Sequence, residues 1–378
     1  MTKETTGAIA PYHFTLIDSI DSLRAFRPAW VKLIQGACNS SFFLRPEWLI
    51  SWWESFAQAN DQLAVVWIER NEEPFALAPF FVRSDLYYGL QRRVLRFLGE
   101  GNSDRSDILL KIPDEQIYGL LFAFLRGKIQ WDVASFREVP QESGFLSWAA
   151  PRRLAYVEKD SDCPFIILGP DLTVESFRAS LSLNMRREFA NVTNRLKKTG
   201  EYRFRCQILH NDNAFLLEKI CEIEHRSAKA NRNIHLVFSP ERNGNFQHRL
   251  LAQFDETVQP LLTTLELDGK IISYLYGFVA EGVYHAYNMA FLSEYIRFSP
   301  GKLTMQATID HCIEEKIREF DFLRGNSYIK RKWSNTDRHQ YHITLMEKTL
   351  LNQIHSRLIF SIRPKVKKII MGFRNIVI

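Results

Sequence analysis

The chain has 378 residues, 46% of them hydrophobic and 24% charged, the composition of a folded globular protein rather than a disordered, fibrous or membrane-spanning one. Its 49 basic and 43 acidic residues leave a net charge of +6, too little for a histone-like binder yet compatible with a local basic surface for phosphates, anionic lipid or nucleic acid. The length predicts two domains, and the 28 Phe within a 13% aromatic content predict a large core with deep apolar clefts.

In chain order, Pro46 opens a helix through Ala57, on which Trp48, Leu49, Trp52, Trp53 and Phe56 recur at helical spacing. Leu63 to Ile68 reads as a strand and Phe75 to Val82 as its antiparallel partner, with Pro79 marking an edge or a bulge. Val94 to Leu98 is a short strand that runs into a loop at Gly99 to Asp104; Ile117 to Leu125 is helical and Gln130 to Phe136 extended. Val174 to Lys198 predicts a basic helix ending at Gly200. Tyr202 to Leu209 is a strand, and Ala214 to Ala230 and Phe246 to Gln259 are helical. Leu261 to Leu267 and Ile271 to Val279 form a hairpin about Asp268-Gly269, the favoured tight-turn pair, and Val283 to Ala290 adds a third strand. Residues 63 to 82 and 261 to 280 share this strand, charged turn and strand layout, which suggests an internal duplication.

The five cysteines are dispersed without zinc-site spacing, so no metal is expected and a reducing compartment is. The first 15 residues lack the basic start and apolar run of a signal peptide, and no stretch reaches the roughly 18 apolar residues of a spanning helix. A cytoplasmic protein is expected. Phosphate loops of the GxxxxGK[ST] and GxGxxG types, the GxSxG elbow and HExxH are all missing. What remains is Ser299-Pro300-Gly301-Lys302-Leu303 after a strand, where Ser299 fits an N-cap and Pro300 the first helical position. Free N–H groups of Gly301, Lys302 and Leu303 at that helix start predict a pyrophosphate cradle; an ordinary capped helix is the alternative. Beyond the helix, Phe320-Asp321-Phe322-Leu323-Arg324-Gly325 is a strand entering a Gly turn, followed by Tyr328, Lys330 and Trp333.

These last segments resemble the second half of the cellulose-biosynthesis-type (CelD-like) acyltransferases, a branch of the GNAT acetyltransferase superfamily. The first half is similar to that family at Phe43 to Trp48, at Ala76 to Pro79 and at Leu95 to Gly99 followed by Ser103-Asp104. So is the basic helix at Asn184, Arg186, Arg187 and Arg195. The resemblance covers about residues 40 to 345. It implies an α/β (α+β) fold of two GNAT-like domains in tandem, as in FemAB-type aminoacyltransferases, each a mixed, mostly antiparallel sheet flanked by helices. Residues 1–165 would form the acceptor side and 166–348 the acyl-donor side.

The implied reaction moves an acyl group from a thioester, usually acyl-CoA, to an amine or hydroxyl of a sugar, polysaccharide or lipid precursor. Two departures stand out: Pro300 and Lys302 occupy the glycine positions of the general GNAT pyrophosphate loop [QR]xxGx[GA], and Asn326 and Ile329 interrupt the family's pattern after the Gly turn. Such a transfer needs a base, an acid and oxyanion donors. Tyr328 is the expected acid, Asp321 and His285 compete with Asp104 for the base, and N–H groups of the strand at 283 to 290 are the donors. Arg324 and Lys330 are expected to reach the substrate, and Ser103, Asp104 and Asp107 to bind the acceptor. With aminoacyl-tRNA as donor, the basic helix Arg186 to Lys198 would hold RNA; no DNA partner is expected. Residues 349–378, with six Lys or Arg and an apolar stripe, predict a basic amphipathic tail lying on an anionic membrane at its inner face. Packing on the core or on another subunit is the alternative, and a non-catalytic membrane-surface scaffold is the reading from outside enzymology.

Overall fold

The computed structural model describes residues 5–9, 11–152, 155–231, 236–238, 241–334 and 336–346, so the expected tail at 349–378 lies outside the described residues. The chain begins with β1 (Thr5–Ile9), β2 (Tyr12–Ile17), α1 (Ile20–Ala25), α2 (Arg27–Gln35) and α3 (Pro46–Phe56). It continues through β3 (Gln62–Leu63), β4 (Val65–Arg70), β5 (Glu73–Ala78), β6 (Phe80–Tyr87), β7 (Leu90–Phe97) and β8 (Leu109–Leu110). Then come α4 (Gln116–Arg126), β9 (Val133–Pro140), α5 (Gly144–Ala149), β10 (Ala155–Ile167), α6 (Val174–Ser180), α7 (Leu183–Thr199) and β11 (Tyr202–Ile208). The remainder is α8 (Phe215–His225), α9 (Ala228–Asn231), α10 (Glu241–Gln253), β12 (Val258–Leu267), β13 (Lys270–Ala280), β14 (Val283–Phe291), α11 (Pro300–Glu314), β15 (Glu319–Asp321), α12 (Tyr328–Trp333) and β16 (Thr336–Met346). Among the described residues no helix is long and apolar enough to cross a membrane.

Two compact units result. Among the described residues the second runs from Asp162 to Arg338, and the first combines those up to Ser161 with His339 to Met346. In place of a boundary at 348, β16 rejoins the first unit, because Gln340 to Met346 pairs antiparallel with β9. Strand pairing between residues some 200 positions apart leaves no local mark in a sequence.

The first unit has one antiparallel sheet ordered β1-β2-β4-β5-β8 and a second run of strands ordered β16-β9-β7-β6-β3. Pro79 separates them. Lacking an N–H, it ends β5 in the first sheet, and Phe80 starts β6 in the second, while its carbonyl accepts from Leu98 N–H at 2.8 Å. The residue therefore breaks one expected strand into two strands of different sheets, more than an edge or a bulge. Phe80, Phe97, Phe122, Phe136 and Phe145 pack ring on ring between β6, β7, β9, α4 and α5. Pro46 starts α3 as expected, and the helix buries Trp48 and Trp52. Their indole N–H groups donate to Ser103 Oγ (2.9 Å) and Asn102 Oδ1 (3.1 Å), so the loop after β7 is pinned from the core side.

In the second unit the order is β11-β12-β13-β14-β15, with Phe165 to Ile167 antiparallel to β15 on its other side. Asp268 and Gly269 join β12 to β13 with φ of 49° and 78°, the left-handed pair that matches strand twist. α11 packs on β12, β13 and β14 and buries Leu303, Ile309 and Cys312. Its buried Thr304 and Thr308 donate their hydroxyls to the carbonyls four residues back. The expected helix 174–198 is interrupted at Leu181-Ser182, where Ser182 caps α7, and 214–230 is interrupted at Arg226-Ser227. The helix expected to reach Gln259 ends at Gln253, and Pro260 lies inside β12, its carbonyl taken by Leu209 N–H at 2.8 Å.

Both units repeat one order of elements: antiparallel strands, a helix, then a strand parallel to the last of them. In the first these are β6, β7, α4 and β9; in the second, β13, β14, α11 and β15. Each is a mixed, mostly antiparallel α/β unit flanked by helices.

Trp48→Phe keeps a smaller buried aromatic ring and removes the donor to Ser103, which should lower unfolding free energy by about 1–2 kcal/mol. Trp48→Ala also opens a cavity and should cost about 3–5 kcal/mol. Urea unfolding of both variants checks this, and an unchanged stability in Trp48→Phe would show that the hydrogen bond contributes nothing.

Candidate active site

The site begins where two parallel strands part. β14 and β15 pair only over Val283–His285 with Glu319–Asp321. β15 then ends, and β14 runs on from Ala286 to Phe291 with no parallel strand of β15 beside it. The register sets His285 opposite Asp321, with Nδ1 4.0 Å from Oδ2. Asp321 is fully buried. It accepts Leu323 N–H at 2.8 Å and faces Arg338 Nη1 at 3.5 Å. Its carboxylate thereby shapes the turn in which Leu323 and Gly325 adopt φ of 58° and 104°.

Lys330 folds back over that turn, donating from Nζ to the carbonyls of Leu323 (3.2 Å) and Arg324 (2.6 Å). Arg324 is half-buried in the same turn. Tyr328, by contrast, is 75% exposed at the start of α12, with Lys332 Nζ 4.8 Å from its ring centre. It lines a separate cavity of about 610 Å³ with Ser182, Glu188, Lys332 and Trp333.

On the open length of β14 stands a polar group that sequence reasoning missed. Asn288 donates from Nδ2 to Glu224 Oε1 (2.7 Å) and to Tyr274 Oη (2.8 Å), and its Oδ1 accepts from Lys229 Nζ at 2.5 Å. Glu224 is fully buried, and its carboxylate also accepts the N–H groups of Val237 (3.1 Å) and Phe238 (2.9 Å). Lys229 Nζ lies 4.0 Å from Glu224 Oε1. Burial holds the Lys229 ammonium below its ordinary pKa, Glu224 opposes the shift, and the nearby Lys330 charge adds to it. One signal was available: Glu224 sits on the same helix face as Leu217 and Ile220, an acid on an otherwise apolar stripe.

The expected phosphate cradle is built differently. Ser299 adopts φ 47° and ψ 48° at the N-cap, and its side chain makes no capping bond. Its carbonyl turns into the helix and accepts both Lys302 N–H (3.0 Å) and Leu303 N–H (3.3 Å). Gly301 is buried, with space for a Cβ limited by Phe291 Cδ1 at 3.2 Å. The glycine thus permits close approach of helix and strand. Pro300 has no N–H, and Lys302 Nζ is paired with Glu188 of α7. Two of the three expected donors are spent inside the helix.

Ser103, Asp104 and Asp107 lie in the first unit. Ser103 receives the Trp48 indole, the Asp104 carbonyl receives the Gln340 amide, and Asp107 is buried against a cavity. Among the described residues no group of three or more His, Cys, Asp or Glu is gathered as for a metal.

Residues 184–331 match the family model of the acetyltransferase (GNAT) domain. No curated protein matches the sequence. FemX superposes with a TM-score of 0.58 at 9% identity, over 88% of this chain and 98% of its own. A conserved protein of unknown function from Bacteroides thetaiotaomicron VPI-5482 gives 0.50 at 12% identity, over 87% and 99%. These likenesses show the fold, and the family match covers 184–331, the segment that holds the β14–β15 opening.

Lys229 carries a stability signature. Its folded pKa is depressed, so between that value and about 10.4 in the unfolded chain, unfolding takes up a proton and stability rises with pH. Lys229→Met removes this slope. Urea midpoints measured from neutral to alkaline pH should rise for the natural protein relative to the variant, and a constant difference would refute the burial of the charge.

Proposed function

We propose that the protein is an acyltransferase of the CelD-like branch, moving an acyl group from a CoA-type thioester to an amine or hydroxyl of a sugar, polysaccharide or lipid precursor. The observation that carries the reading is the opening of β14 away from β15 in the segment that matches the GNAT domain, bordered by Lys229, Asn288 and Lys330. Acyl transfer needs a proton acceptor for the nucleophile and positive or N–H partners for the developing oxyanion. Lys229, donating from Nζ to Asn288 Oδ1, supplies a cation for the developing oxyanion, and Asn288 orients it. The backbone of β14 beyond His285 offers N–H groups to the acyl oxygen. Lys330, held by two carbonyls, supplies positive charge for the thiolate or for phosphate. The open edge accepts an extended chain, which fits the pantetheine arm of CoA. His285 and Asp321 then serve as positioning residues for the turn that carries Lys330.

A second reading keeps the fold and takes aminoacyl-tRNA as donor. It is favoured by the exposed cations Arg186, Arg187, Arg195, Lys197 and Lys198 along α7, a face suited to a nucleic-acid backbone.

Thermal stabilisation across a panel of acyl-CoAs and bulk tRNA separates the two, since a ligand at 100 times its Kd stabilises by about 2.7 kcal/mol. With the donor so identified, Lys330→Ala should reduce kcat/KM at least about tenfold, or 1.4 kcal/mol of barrier, with little change in melting temperature. Full activity in that variant would remove Lys330 from the site, and stabilisation by tRNA alone would replace the CoA reading with the second.

A further inference from the structure

The first unit contains a cavity of about 470 Å³, within the size range of small-molecule sites. It lies between the segment after α2 and the starts of α4 and α5, and Asp107, Tyr118, Asn39, Ser143, Arg105 and Cys38 are among its lining residues. We propose that this cavity is a binding site for a small polyol bearing a protonated amine, such as an aminosugar.

Tyr118 points to a ligand first. Its side chain is 1% exposed and lines the cavity, yet its hydroxyl makes no hydrogen bond with any described residue. Buried phenols ordinarily find a partner. The space in front of it is kept by Gly144, where a Cβ would stand 2.7 Å from the hydroxyl oxygen. Burial and the neighbouring Asp107 raise the phenol's pKa, so it remains a donor.

Asp107 supplies the second element. Oδ1 accepts Ile108 N–H (2.8 Å) and the Ser143 hydroxyl (2.9 Å), and Oδ2 accepts the Asn39 amide (3.0 Å). A carboxylate offers about four acceptor sites, so one remains for a donor from the cavity. Burial pushes this carboxyl up to about 6, and a cationic donor would favour its ionised form. Charge selects the sign of the ligand: Asp107, Asp114, Glu115 and Glu142 line the cavity with one cation, Arg105, itself 3.9 Å from Glu142. That balance rejects phosphate and carboxylate and favours an amine. Hydroxyls of Ser40, Ser41 and Ser147 complete a wall suited to a polyol. The inference rests on the first unit's cavity alone and stands or falls apart from the transferase reading.

The test uses the full chain with glucosamine, glucose and glucose 6-phosphate as probes, followed by saturation-transfer NMR and thermal shift. Glucosamine should bind, glucose at least about tenfold more weakly and glucose 6-phosphate not at all, a tenfold loss being 1.4 kcal/mol. Tyr118→Phe removes only an oxygen that bonds to no described residue, so the fold should persist while glucosamine affinity falls about tenfold. Gly144→Ala should exclude the ligand from the hydroxyl in a second, independent way. Failure of glucosamine to bind at millimolar concentration, equal binding of glucose, or unchanged affinity in both variants would each overturn the proposal.

Discussion

The brevity of a parallel strand pair governs the second unit. β14 and β15 share three residues and then separate, and everything assigned to the site depends on how the exposed length of β14 is furnished. A strand edge buried without partners is costly. Here the side chains of that edge reach into a network in which one buried carboxylate, Glu224, accepts from two backbone N–H groups and from Asn288. The network holds the segment at 237–238 and the amine of Lys229 in fixed places beside the opening.

The first unit repeats the topology and handles the same gap in another way. β7 and β9 pair in parallel only at Val94–Val133 and Leu95–Ala134. There the loop after β7 turns back on its own unit, with Ser106 N–H donating to the Glu138 carbonyl of β9 at 3.0 Å and the Asp104 carbonyl accepting from Gln340 of β16. The indoles of Trp48 and Trp52 lock that loop from below. The counterpart of the second unit's opening is thus occupied by chain. The two units thus share an order of elements, with the gap open in one and filled in the other.

Backbone geometry at single residues decided several outcomes. Ser299 in the left-handed region turns its carbonyl into the first turn of α11, where it takes two of the three N–H groups expected of an anion cradle. Pro79, lacking a donor, moves a strand from one sheet to another. Neither effect changes which residues are helical or extended, which is why local pattern reading located the elements and misjudged what they present.

The hairpin at Asp268-Gly269, the helix opened by Pro46 and the strand at 283 to 290 were legible in the sequence, because each follows from φ preference or from the period of apolar residues within a short window, whereas the mixed, mostly antiparallel α/β class was what the family resemblance implied. The pairing of His285 with Asp321 was half legible: both were singled out by type, but only the parallel register sets them opposite. Glu224, Lys229, Tyr274 and Asn288 were not legible, since they meet from α8, α9, β13 and β14 with up to 64 residues between partners. The return of β16 to the first unit was equally hidden. Short-range conformational preference is written along the chain; which polar groups are buried together, and so which pKa values shift, is decided by tertiary contacts alone.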